Sequence, residues 1–349
     1  MTGIEIQDLV ARLGPLVREN AGADAQVNDV VVMEDGHAGL TFGFEVQTPD
    51  GACVPYVLKL APVGVPHRGS TDVYRQAALL RALHAAGLPA PRVPWASPDD
   101  AALGTPFIIM ERLPGRTFVI WEPHASFSPD PDFIRSLWLQ SAQALARFHQ
   151  LDWKTSLQDW ETPSTLSTEL ARWTRLLRHA PDPEWAASGT RLAAELVAAV
   201  PPERAVGLVH GDFQPGNVLF DQGRLVGVID WDLAGIGAQG IDVGWMLMMI
   251  DPHAWAAGWK PVAPLTRDEL LAAYRNANGT ALQDLEWYQA FAHFRMAAIA
   301  CLNVKLHRNG RRPDALWERF APSISMMFSR AGQLLSASRP NPLHGAPHD

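Results

Sequence analysis

The segment that most constrains this chain runs from Leu208 to Asp232, LVHGDFQPGNVLFDQGRLVGVIDWD. Three short β-prone pieces, Leu208 to Val209, Val218 to Phe220 and Leu225 to Ile229, alternate there with fixed polar residues, inside sequence that otherwise reads as long helical periods. Strands this short cannot make a stable sheet alone, so the surrounding helices must hold them and the residues between them are displayed. Asp212 and Asn217 lie on the loop between two of these pieces, and Asp230 ends the next piece after a tight turn at Asp221 to Gly223. Any fold that accommodates the segment brings two acids and an amide, drawn from separate turns, to one place.

Those residue types match a chemistry. Oxygen donors suit Mg²⁺, which is held by one or two protein groups together with substrate phosphates. In phosphoryl transfer the protein supplies mainly positioning and charge neutralisation. Asp230 can hold a metal, Asn217 can be a second, neutral ligand, and Asp212 is left to orient an attacking hydroxyl and accept its proton. His210 reads as a residue that packs and hydrogen-bonds locally, His149 as a core or cap residue, and Asp232 as either a neighbour of the site or a turn residue.

The rest of the chain reads as two regions of different texture. After an opening amphipathic helix near Ile4 to Glu19 come three β-rich runs, Val27 to Met33, Leu40 to Val46 and Val54 to Leu60, separated by turn residues, which predicts an antiparallel meander. A helix from about Asp72 to Ala86 and a strand at Phe107 to Met110 complete a small sheet region. From Asp130 the apolar period becomes helical through about Val200, resumes after Asp242 and continues to about Leu335, with Trp245 to Met249 reading as core. At 349 residues the chain exceeds the size at which one core usually stops growing, about 250–300 residues, so two packed units around a cleft are expected. We expect an α+β fold with a first lobe over residues 1–110, a larger, mostly helical lobe over 111–340 and a mobile tail at 341–349.

Composition narrows the partners. A hydrophobic share of 47% against 19% charged residues supports a buried core, and the formal charge of −8 argues against nucleic acid as a partner. The two cysteines, Cys53 and Cys301, are far apart and suggest neither a disulfide framework nor a thiolate metal site. The N-terminal residues lack the pattern of a secretory signal, and the most apolar later stretch is too short to cross a bilayer. These features predict a cytoplasmic protein without a membrane partner.

HGDFQPGN, VIDWD and GIDVGWML, in that order, resemble the aminoglycoside phosphotransferase and choline kinase group, whose fold is similar to that of protein kinases. The resemblance extends over roughly residues 25 to 320. It implies a bilobal kinase-like fold and an ATP-dependent, Mg²⁺-requiring phosphotransferase acting on a small-molecule hydroxyl. Asp212 is then the base, Asn217 and Asp230 the metal ligands, and Asp242 the residue that starts a helix and braces the catalytic loop. It also implies that Lys59 in YVLKL contacts the ATP phosphates, that the loop containing Gly36, His37, Ala38 and Gly39 covers them, and that the backbone from Glu111 to Leu113 hydrogen-bonds the adenine.

Two departures stand out. Ala38 and Gly39 replace loop residues that could cap phosphates, and Gln76 stands where the glutamate partner of the lysine is expected. A glutamine can hydrogen-bond an ammonium and cannot neutralise it. Within the group, PFIIMERLPGRTF and IDWDLAGIGAQGIDVGWML are most similar to the kinase-like domain fused to some acyl-CoA dehydrogenases. From Gly240 to Asp349 there are 11 Lys and Arg against 9 Asp and Glu, a formal +2 in a chain of −8. That distribution, with KLHRNGRR at Lys305 to Arg312, favours an anionic or acyl-thioester alcohol over a polycationic antibiotic. The alternative reading is a catalytically impaired kinase-like protein that binds a nucleotide or ligand. A metal hydrolase built on His210 and Asp212 ranks last, because the motif supplies no further histidine ligands.

Overall fold

The structure is a computed structural model that describes residues 5–33 and 40–337. Gly36, His37, Ala38 and Gly39 and the expected tail at 341–349 lie outside the described residues. The chain divides into two compact units. The first comprises 1–116, 151–161 and 218–233; the second comprises 117–150, 162–217 and 234–349.

The first unit is built on a five-stranded sheet of β1 (Gln26–Val32), β2 (Leu40–Gln47), β3 (Cys53–Leu60), β4 (Trp95–Ser97) and β5 (Phe107–Glu111). Its order is β1-β2-β3-β5-β4, with every neighbouring pair antiparallel. The expected meander is present, and β5 adds to it beside β3. The short edge strand β4 was not legible, since WAS carries no alternation over three residues. Helix Ile6–Ala21 presents Leu9, Leu13 and Val17 at four-residue spacing to one core with Phe42, Phe44, Leu58, Leu60, Phe107 and Ile109. Burying a leucine such as Leu13 contributes about 2 kcal/mol before cavity effects.

Three features of this unit position the chemistry. Lys59 lies on the central strand β3, in register with Thr41 on one side and Ile108 on the other. Helix Arg75–Ala85 turns Gln76, Ala77, Leu79, Leu80 and Leu83 inward, so a polar residue shares its buried face. The hairpin Val218–Asp221 with Arg224–Val228 closes through Gln222 and Gly223, both at positive φ (48° and 76°). That is the two-residue turn whose twist matches paired strands, and Gly at its second position is the reason the sequence DQG folds there.

The second unit is helical. Asp130 caps helix Pro131–His149 by accepting from the Asp132 amide, with Pro131 in the first turn where its missing N–H costs nothing. Helix Leu285–Arg308 runs for 24 residues and is buried over most of its length. Helix Gly240–Met249 is buried at every position. A Cβ at Gly240 would come within 2.4 Å of the Tyr288 ring, and one at Gly244 within 2.4 Å of the Tyr288 carbonyl. Only glycine permits these two helices to approach so closely, which is the packing reason for the spacing in GIDVGWML. Strand Val206–Val209 pairs antiparallel with Gly235–Ala238, a partner that the sequence did not reveal because GIGA is small and unpatterned. No helix among the described residues is long and apolar enough to cross a membrane.

Candidate active site

In the first unit, Lys59 is 8% exposed and forms an ion pair with Asp232 Oδ1. Gln76 Nε2 donates to the same oxygen at 2.6 Å. The expectation that Gln76 is the lysine's own partner is therefore modified. The carboxylate comes from the second acid of VIDWD, and the glutamine supports that acid. A buried ammonium needs a counterion, because desolvating an unpaired charge costs several kcal/mol. With Gln76 neutral, Asp232 is the group that meets this need. Asp232 is also fixed from its backbone. Arg75 Nη2 donates to the Asp232 carbonyl at 2.8 Å while Nη1 reaches Glu161 Oε1 at 2.9 Å, and its guanidinium lies 5.4 Å from the Trp160 ring. Trp160 Nε1 returns a bond to the Arg75 carbonyl at 2.7 Å.

Asp230, two residues before Asp232, has a left-handed backbone with φ 62°. Asp tolerates that region better than most residues, and such conformations gather where a side chain must be aimed. Its half-buried carboxylate makes no hydrogen bond or ion pair among the described residues. At the linker, the Glu111 amide is taken by the Arg92 carbonyl at 2.8 Å and the Arg112 amide by Pro55 at 3.1 Å. The Leu113 amide has no partner among the described residues. The Leu113 side chain fits against Gly227, where a Cβ would lie 2.2 Å from Leu113 Cδ1.

In the second unit, the HGDFQPGN loop is held from beneath. Asp242 is fully buried and accepts from the His210 amide at 2.7 Å and the Gly211 amide at 2.8 Å. His149 Nε2 lies 3.3 Å from Asp242 Oδ2, and its Nδ1 lies 2.7 Å from the Tyr274 hydroxyl. Burial alone would raise the Asp242 pKa. The His149 hydrogen bond, the nearby His149 and His210 rings and the His210 amide outweigh it and hold the carboxyl below the usual aspartate range. Burial pushes the Tyr274 phenol upward. Asp242 thus grips the loop backbone, as its resemblance implied. His210 packs edge-on against Phe213 and accepts from the Asp212 amide at 3.2 Å, the local role expected of it.

On that loop Asp212 and Asn217 come together. Asn217 Nδ2 donates to the Asp212 carbonyl at 2.8 Å and to Asp212 Oδ2 at 3.1 Å. This orientation leaves the amide oxygen of Asn217 as an acceptor suited to a cation. Trp245 Nε1 donates to Asp212 Oδ1 at 2.8 Å, and Gln214 Nε2 lies 3.5 Å from the same oxygen. Trp245 read as core in the sequence, and it is buried. Its indole N–H also orients the loop acid, a role whose only sequence signal was its place three residues after Asp242. Each unit offers one hard oxygen donor of the kind magnesium takes: the Asp230 carboxylate in the first, without a partner among the described residues, and the Asn217 amide oxygen in the second. No cluster of three or more His, Cys, Asp or Glu with metal-holding geometry occurs among the described residues, and the hydrolase reading gains no ligand set.

Comparison with known proteins places this arrangement. The chain is 29% identical over 293 residues to a probable acyl-CoA dehydrogenase of Arabidopsis thaliana, covering 77% of this chain and 35% of that protein. It is 28% identical over 256 residues to acyl-CoA dehydrogenase family member 10 of Mus musculus, covering 70% of this chain and 24% of that protein. The chain thus spans about a third or less of these curated relatives. An aminoglycoside 3'-phosphotransferase of Streptomyces fradiae is 27% identical, over 68% of this chain and 84% of its own. Among solved structures, a protein described as a candidate aminoglycoside phosphotransferase from Ralstonia eutropha superposes with a TM-score of 0.72 at 23% identity, covering 94% of this chain and 98% of that one. A thermostable variant of the aminoglycoside phosphotransferase APH(4)-Ia, in complex with ADP and hygromycin B, gives 0.58 at 16%, covering 93% and 98%. These likenesses establish an α+β, protein-kinase-like fold. Residues 36–291 match the phosphotransferase enzyme family, APH, and the chain belongs to that family.

Proposed function

We propose that the protein transfers the γ-phosphate of ATP to the hydroxyl of a small molecule, using magnesium. The observation that carries this reading is the loop acid Asp212, fixed at both carboxylate oxygens by Trp245 and Asn217 while Asp242 holds the loop backbone. An acid positioned this way is suited to take the proton of an attacking alcohol. As the alcohol oxygen forms its bond to the γ-phosphorus, the bond from that phosphorus to the β,γ-bridging oxygen breaks, ADP departs, and the hydroxyl proton passes to Asp212. Lys59, oriented by Asp232 and Gln76, contacts the phosphates. The Leu113 amide serves the adenine. Asp230 and Asn217 would hold magnesium, which when bound neutralises the charge that develops on the phosphate oxygens. The names of the acyl-CoA dehydrogenase relatives and the charge distribution support an anionic or acyl-thioester alcohol as acceptor, whereas the name of the Streptomyces fradiae relative points to an aminoglycoside.

The impaired-binder reading rests on Gln76 and the altered loop. The carboxylate at Asp232 removes the first of these supports, because Lys59 is not left without a counterion. The test is an ATP-dependent phosphorylation screen of the full chain against hydroxyacyl thioesters, hydroxy acids, sugars, amino alcohols and antibiotics, read by mass spectrometry. Nucleotide binding detected by thermal shift with Mg²⁺, together with a phosphorylated product in at least one class, is expected. Nucleotide binding with no product in any class favours the impaired binder.

A further inference from the structure

The second unit contains a cation that the reaction above does not use. Arg295 lies within the long helix Leu285–Arg308 and is 2% exposed. Its guanidinium carbon is 4.4 Å from the Trp173 ring centroid and 4.5 Å from that of Trp245. It makes no hydrogen bond or ion pair among the described residues. Nε is sealed from solvent without a partner. The two terminal nitrogens also lack a partner but are not sealed. A buried arginine usually faces a carboxylate, because a desolvated and unpaired charge is among the costliest arrangements in a protein. The nearby acids are already engaged. Glu169 accepts from Ser164 at 3.0 Å and Trp173 at 3.2 Å and lies 3.8 Å from Arg172. Asp242 holds the loop amides, and Asp212 is bound by Trp245 and Asn217.

We propose that Arg295 is the anchor for an anionic group on the acceptor, a carboxylate or a phosphate, and that the acceptor is a short alcohol bearing such a group close to its hydroxyl. The inference rests on the phosphotransferase reading, and it names the acceptor class. Trp245 supplies the geometry. One edge of its indole donates to Asp212 Oδ1 at 2.8 Å and its ring faces the Arg295 guanidinium. The group that takes the hydroxyl proton and the group that would take the anion are therefore one indole apart. Two indoles around a cation also resemble the cages that bind quaternary ammonium ligands. Here the protein's own guanidinium fills that place, which turns a site suited to a cationic acceptor into one suited to an anion. The planar fork is well matched to a carboxylate or phosphate and stacks on aromatic faces, which an ammonium does less well. Burial pulls the Arg295 pKa down to about 10, with Asp212 the first of the charges opposing the shift, so the side chain remains cationic at neutral pH.

The test uses the full chain, with and without Mg²⁺ and AMP-PNP, titrated calorimetrically with matched pairs: glycerate and glyceramide, 3-hydroxybutyrate and its amide, glycerol 3-phosphate and glycerol, with choline as a cationic alcohol. The acid of at least one pair is expected to bind roughly tenfold or more tighter than its neutral counterpart, and the carboxylate and phosphate arms identify the anion. Arg295→Met is expected to erase that preference and Arg295→Lys to keep part of it. Equal binding within every pair, a preference that survives in Arg295→Met, tighter binding of choline, or failure of every anionic alcohol to bind a protein that binds AMP-PNP overturns the proposal. If Arg295→Met does not fold, the wild-type pairs and Arg295→Lys decide the matter. An acid preference in a protein that binds no nucleotide would instead sink the phosphotransferase reading and leave the anion anchor standing.

Discussion

The two units hold their central acids by different means. In the first, Asp232 is gripped by charge: the Lys59 ammonium and the Gln76 amide converge on one oxygen, and Arg75 secures the backbone. In the second, Trp245, Asn217 and Gln214 give Asp212 neutral N–H donors, and Asp242 secures its loop. The contrast follows from what each acid would do in the proposed reaction. An acid whose task is to offset the charge of a buried lysine is best paired with it. An acid that must accept a proton is better oriented by neutral donors, with the Arg295 cation near it but not paired to it, since a direct ion pair stabilises the carboxylate and weakens it as a base.

The strongest way to break this contrast is Asp212→Asn. It keeps the shape of the loop and removes the proton acceptor, so kcat is expected to fall by about 10²–10⁴-fold with nucleotide affinity nearly unchanged. Wild-type turnover would assign the base elsewhere. Next is Asp242→Asn, expected to cost about 3–5 kcal/mol of stability at neutral pH, because two amides and His149 lose a buried anion. The carboxyl sits lower in the folded protein than in the unfolded chain. Its stabilisation is therefore complete above about pH 4 and is lost as the pH falls through the lower folded value. Denaturation curves of wild type and Asp242→Asn are expected to converge in acid; a constant gap down to the lowest pH would contradict the assignment.

Asp232→Asn probes the charged side of the comparison. It leaves Lys59 buried without a counterion, and a loss of about 3 kcal/mol with weaker nucleotide binding is expected. Adding Gln76→Glu to that variant moves the carboxylate to the helix and is expected to restore most of both quantities, measured by chemical denaturation and nucleotide titration. No rescue would mean that Asp232 acts through something other than its charge. The smallest effect is expected of Gln76→Glu alone, within about 1 kcal/mol, since a second acid gains Lys59 and repels Asp232.

Much of the site was legible because its residues are tied to local chain geometry. Asp212, Asn217 and Asp230 sit at fixed offsets in turns between short strands, and a turn constrains its own residues. Lys59 was legible as a cation in a β run, a rare and costly placement. Asp232 could not be assigned, since whether it met Lys59 or solvent depended on a strand and a helix more than 150 residues away in the sequence. Trp245 and Arg295 lie in apolar helical periods, and periodicity identifies a buried face without saying which side chains on it meet.

By itself the sequence determined the antiparallel meander, the helical second region and the polar loop with its acid and amide, because these depend on period, turn chemistry and spacing along the chain. Only the tertiary structure decided which acid neutralises Lys59, which indole steadies Asp212 and that Arg295 lies between two indoles without an ion pair among the described residues. Pairing of charges in the interior depends on through-space distance and desolvation, and neither quantity is written in the spacing of residues along a chain.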